Sequence, residues 1–61
     1  MDPDVDAALA KMEAWEARVV ALSRAVRAHP TSPYRRLWAA DCKRAVAAWV
    51  AQGELILDAI E

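Results

Sequence analysis

Apolar residues recur at spacings of three and four along two segments of the chain, and a proline-containing segment separates them. That segment runs from His29 to Pro33, close to the middle of the sequence. Spacings of three and four are typical of one face of an α-helix, and prolines end one helix and start the next. The pattern therefore predicts an all-α fold, a two-helix antiparallel hairpin with helices at about 3–28 and 33–60 and a turn at 29–32.

The predicted first helix carries one stripe of large apolar residues. Asp2-Pro3 supplies a start signal, because Asp caps helices and Pro suits the first helical position. In a heptad frame both seam positions stay apolar along the helix until His29. The stripe consists of Val5, Met12, Trp15, Val19, Leu22 and Val26.

The predicted second helix has a broader apolar face. Ser32-Pro33 repeats the start signal, and Gly53 lies inside the helix. Its predicted core or oligomer contacts are Cys42, Val46, Trp49, Val50, Ile56, Leu57 and Ile60, together with Trp38 and Ala45. Folding the chain about residue 31 predicts that Met12 faces Trp49, Trp15 faces Val46, Val19 faces Cys42, and Leu9 meets Gly53.

The size of the chain predicts association. Residues 1–61 form a single small domain, and such domains struggle to bury enough surface without a disulfide, a metal or a partner. The single cysteine excludes an internal disulfide, and one cysteine with one histidine is too few for a zinc site. Two helices side by side would leave several tryptophan and aliphatic side chains uncovered. We therefore expect a homodimer that forms a four-helix bundle.

The first helix has a second stripe, made of alanine, on its other side. Alanine permits close helix approach and would let a larger partner dock there, but alanine is also a common surface residue in helices. Both interpretations stay open at this stage. The stripe consists of Ala7, Ala10, Ala14, Ala17, Ala21 and Ala28.

Charge is divided between the two ends of the hairpin, although the net charge is only −1. Acidic residues gather at the open end, and basic residues gather at the turn end. In the first interpretation, two antiparallel subunits place the basic turn of each beside the acidic end of the other. In the second, the turn binds an external polyanion such as nucleic acid or an acidic protein surface. Arg35 and Arg36 keep the second interpretation open, because the dipole disfavours cations in the first turn of a helix, where free N–H groups can bind an anion; solvated or inter-subunit arginines remain the other explanation. The candidate anion-binding residues are Arg24, Arg27, Arg35, Arg36, Lys43 and Arg44, with Trp38 and Tyr34 as stacking candidates.

No motif in the sequence predicts catalysis, a cofactor, a metal site or a small-molecule substrate. Cys42 fits a small apolar residue better than a nucleophile, and His29 fits a helix-end residue better than a base. No stretch is long and apolar enough to span a bilayer, and the acidic start is unlike a signal peptide. A free thiol suits the reducing cytoplasm, where we expect the protein to act.

These features predict a small non-enzymatic oligomeric protein that acts in interaction or regulation by binding macromolecules. The alternative is a nucleic-acid-binding module that uses the basic turn end. A second alternative is a small subunit of a larger hetero-complex, docked through the alanine stripe.

Overall fold

The computed structural model describes residues 3–60 and contains two α-helices. Helix α1 is Pro3–Ala28 and helix α2 is Arg35–Ile60, each of 26 residues. They pack against each other as a hairpin about 45 Å long and 14 by 11 Å across. The predicted all-helical hairpin is confirmed, and the predicted capping residue Asp2 lies outside the described residues.

Helix α1 ends where Pro30 interrupts its hydrogen bonding. The backbone N–H of His29 donates to the carbonyl oxygen of Ala25 at 3.1 Å. Pro30 has no N–H with which to continue the helix. The N–H of Ser32 donates to the carbonyl of His29 at 3.2 Å, which closes a turn with proline at its favoured second position.

Ser32 caps the second helix. Its Oγ accepts a hydrogen bond from the N–H of Tyr34, and its carbonyl accepts one from the N–H of Arg35, both at 3.2 Å. These short-range bonds make the first turn tighter than an α-helix. The regular helix therefore begins at Arg35, whereas the sequence placed the start at about Pro33.

The large-residue stripe of α1 lies along the boundary with α2, where its members are half-buried. On α2 the residues turned toward α1 include Trp38, Trp49 and Ile56, which are also half-buried. The thiol of Cys42 donates to the carbonyl oxygen of Val19 at 3.9 Å. This contact joins the two residues that folding about the turn places opposite each other.

Two predicted pairings differ from the structure, one by about one helical turn and the other by one residue. Gly53 faces Met12 rather than Leu9, because the terminal methyl of Met12 is 3.7 Å from the position of a Cβ on Gly53. Leu9 follows the buried Ala8 and is rotated out to the flank of α1. Trp15 shares a cleft with Ala45 rather than with Val46. Ala45 and Val46 are adjacent in the helix and differ by about 100° in direction, so Ala45 is the one that points inward.

Candidate interaction surface

Helix α2 carries a row of apolar residues that α1 covers only in part. We call it the exposed α2 stripe: Val46, Val50, Gly53, Leu57 and Ile60. Its members alternate in spacing between four and three, so they follow one face of the helix. Leu57 is 61% exposed and Ile60 is 72% exposed. Of the predicted core or oligomer contacts, Leu57 and Ile60 are thus left largely uncovered by the hairpin, and Val46 and Val50 are covered in part.

The hairpin encloses very little. Among residues 3–60 the buried side chains are those of Ala8 and Ala45, and no large side chain is fully buried. Burying a large aliphatic side chain is worth about 1.5–3 kcal/mol, and the hairpin obtains this in full at none of its described positions. A single copy of the chain therefore has a weak core for its length.

A groove lies between the helices near the turn, on the same side as the exposed α2 stripe. It has a volume of about 410 Å³. Val26, Ala39, Cys42 and Val46 line it as apolar residues, and Ser23, Arg27 and Lys43 complete its wall. We call it the turn-end groove.

A second cleft extends the turn-end groove toward the turn. The two share Val26 and Ala39, and the extension is also lined by Arg35 and Arg36. Ser32 and Pro33 close its end. Four of the predicted anion-binding residues therefore surround one continuous depression with an apolar floor: Arg27, Arg35, Arg36 and Lys43.

The other two predicted cations lie away from this depression. Arg44 forms an ion pair with Asp41, and both line a cleft on the other side of the hairpin with Trp15 and Arg18. Arg24 is exposed and lines neither part of the basic depression. Adjacent residues in a helix point about 100° apart, so Arg44 and its sequence neighbour Lys43 lie on different sides of α2.

The predicted stacking residues form an aromatic cluster at the turn. The ring centroid of Trp38 is 6.2 Å from that of Tyr34 and 5.8 Å from that of His29. Trp38 is half-buried and Tyr34 is exposed. The Tyr34–Trp38 contact follows from their spacing of four in the sequence. The sequence did not predict that His29 joins this aromatic cluster, because its position relative to Trp38 depends on how the turn folds back.

The indole N–H of Trp49 is buried and has no hydrogen-bond partner within the described part of the chain. Trp49 lines a third cleft on the side of the exposed α2 stripe, together with Met12, Val50 and Leu57. A buried donor without a partner costs about 1–3 kcal/mol. The side chain of Trp49 therefore carries one unfavourable buried polar group.

Residues 3–60 contain no cluster of three or more side chains that could hold a metal ion. Neither described helix is long and apolar enough to cross a membrane. Comparison of the chain with protein-family models, with curated proteins and with solved structures finds no match. Function is therefore inferred from the surfaces described above.

Proposed function

We propose that the protein is a small, non-enzymatic interaction protein that works in the cytoplasm as a homodimeric four-helix bundle. The observation that carries this proposal is the exposed α2 stripe on a hairpin in which, between positions 3 and 60, the buried side chains are those of Ala8 and Ala45. Covering Leu57 and Ile60 would supply apolar burial that the single hairpin lacks. Two hairpins packed face to face are a common way to complete such a core.

The first experiment measures association by analytical ultracentrifugation over a wide range of protein concentration. Leu57→Glu places a charge on the exposed α2 stripe, and Leu55→Glu is the matched control. Leu55 is 56% exposed, similar to Leu57, but it lines a cleft with Asp4 and Val5 on the other side of the hairpin. We expect a dimer whose dissociation constant rises at least tenfold in Leu57→Glu, which is about 1.4 kcal/mol, and changes less than threefold in Leu55→Glu.

Thermal unfolding provides a second measurement, since Leu57→Glu weakens the fold if folding and association are coupled. The melting temperature of a dimer that unfolds as it dissociates rises with protein concentration. A monomer at about 100 μM whose melting temperature is independent of concentration would contradict the proposal. A chain that stays molten or precipitates alone would instead favour a subunit that needs a larger partner.

Nucleic-acid binding is the second candidate function, and the convergence of Arg27, Arg35, Arg36 and Lys43 on one depression favours it. Phosphate groups are bound by such arginine clusters, and an exposed aromatic residue such as Tyr34 can stack on a base. Binding that neutralises several phosphates weakens steeply as salt increases.

Fluorescence anisotropy of labelled duplex and single-stranded DNA and RNA tests this candidate at several salt concentrations. Arg35→Glu/Arg36→Glu should abolish binding. Arg18→Glu/Arg24→Glu makes the same change in net charge outside the depression and should retain most of it. Equal loss in both double variants would indicate attraction to net charge alone, and no binding at low salt would reject the nucleic-acid function.

A further inference from the structure

We infer that the exposed α2 stripe pairs antiparallel with the same stripe of a second copy, so that Leu57 of each chain lies in the turn-end groove of the other. This inference rests on the homodimer proposed above and adds its orientation and register. Two features of the single hairpin support it: the turn-end groove is open along the side of the exposed α2 stripe, and Leu57 is exposed.

The first argument is complementarity of size. The apolar floor of the groove includes the small side chains of Ala39 and Cys42 beside Val26 and Val46, and the groove has a volume of about 410 Å³. Leu57 and Ile60 project from the opposite end of the same helix face, and each is more than half exposed. Packing a large residue against a small one in each layer fills space at the density of a protein core.

The second argument is the register that follows once Leu57 lies opposite Ala39. Because the stripe repeats every seven residues, reading it in reverse on the second copy fixes the other layers. Gly53 then lies opposite Lys43, and Val50 lies opposite Val46. Ile60 lies opposite Arg36. The two-fold axis of the dimer generates each of these pairings a second time.

The groove and the α2 segment that would occupy it carry opposite charges. The walls of the turn-end groove and its extension carry Arg27, Arg36 and Lys43. The segment of α2 that would occupy the groove carries Glu54 and Asp58 beside its apolar residues. An antiparallel pair places this acidic segment against the basic groove twice, whereas a pair with both turns together places basic against basic. Such complementarity selects orientation.

A register displaced by seven residues fits less well. It would place Leu57 opposite Val46, so that two larger residues meet in one layer. Ala39 and Arg36 would then have no residue of the exposed α2 stripe opposite them, so the stripe would not fill the part of the turn-end groove beside Ala39. The register with Leu57 opposite Ala39 covers the longer part of both helices.

Disulfide trapping tests the register. Ala39→Cys and Leu57→Cys are made separately in a Cys42→Ser background, and together they nearly conserve the volume of the layer that they form. In the inferred dimer, residue 39 of one copy is offset by 18 residues along the helix axis from residue 39 of the other copy, and the same holds for residue 57. This offset is about 27 Å. A disulfide needs Cα atoms within about 7 Å. Oxidation of an equal mixture should therefore give a cross-linked heterodimer, and neither variant alone should cross-link.

Control mixtures distinguish the alternatives. A parallel pair of α2 helices would cross-link Ala39→Cys to itself, and the displaced register would cross-link Val46→Cys with Leu57→Cys instead. Either result would overturn the inference. Sedimentation of the unoxidised mixture tests the homodimer separately from its register. A dimer without the expected cross-link overturns only the register. A monomer contradicts the proposed homodimer as well.

Discussion

The terminal methyl carbon of Met12 on α1 lies 3.7 Å from the position that a Cβ on Gly53 of α2 would occupy. This is an ordinary van der Waals separation, so the contact between the helices does not require glycine. Gly53 has regular helical geometry, without the positive φ that favours glycine. The interior of α2 therefore contains a residue of poor helix propensity with room for a methyl group.

Gly53→Ala should stabilise the protein. The added methyl contacts Met12 without displacing it, and alanine favours the helix by up to about 1 kcal/mol relative to glycine. Urea unfolding at a fixed protein concentration should show an increase of about 0.5–1 kcal/mol. Ala51→Gly, at an exposed position of the same helix, is the reverse control and should lower stability by a similar amount. Destabilisation by Gly53→Ala would mean that the space beside Met12 is absent.

Ser32→Ala should destabilise the hairpin, since it removes the oxygen that accepts the hydrogen bond from the N–H of Tyr34. Loss of a serine cap typically costs about 1 kcal/mol. Thr31→Ala is the matched control, because Thr31 is an exposed neighbouring residue with a hydroxyl group. Urea unfolding should show a loss of about 1 kcal/mol for Ser32→Ala and little change for Thr31→Ala. Equal effects would contradict a capping role for Ser32.

Trp49→Phe should be less damaging than the same change at Trp15. Both tryptophans are half-buried on the face between the helices. Phenylalanine at position 49 loses packing volume but also removes an indole N–H that is buried without a partner. We expect the free energy of unfolding to change by less than about 1 kcal/mol for Trp49→Phe, and to fall by more than that for Trp15→Phe. A larger loss at Trp49 would indicate that its N–H has a partner.

The reactivity of Cys42 should report on association. Its thiol lines the turn-end groove, which Leu57 of a second copy covers in the inferred dimer. The rate of alkylation by iodoacetamide should therefore fall as protein concentration rises through the dissociation constant. In Leu57→Glu the rate should stay high over the same range. A rate that is independent of concentration in the unmodified chain would contradict coverage of this groove.

Much of the fold could be predicted from periodicity alone. The half-buried stripe of α1 is the one that the heptad frame predicts, and the break at Pro30 follows from the missing N–H. The pairing of Val19 with Cys42 follows from folding the chain about its turn. These features depend on local geometry, which the order of residues determines directly.

Other features depended on which flank of α2 faces α1. The apolar face of α2 is too broad for one neighbour, so the sequence did not separate Ala45, which is buried, from Val46, which is exposed. The same ambiguity applied to Arg44 and Lys43: the structure pairs Arg44 with Asp41 and places Lys43 in the wall of the turn-end groove.

The sequence by itself determined two amphipathic helices, their shared turn and the separation of charge between the two ends. Those features follow from helical periodicity, proline geometry and the positions of charged residues. Only the tertiary structure decided that the helices meet along the Ala8 and Ala45 faces and leave Leu57 and Ile60 exposed. A straight pair of helices can cover only one strip of each, and the choice of strip depends on contacts between residues distant in sequence.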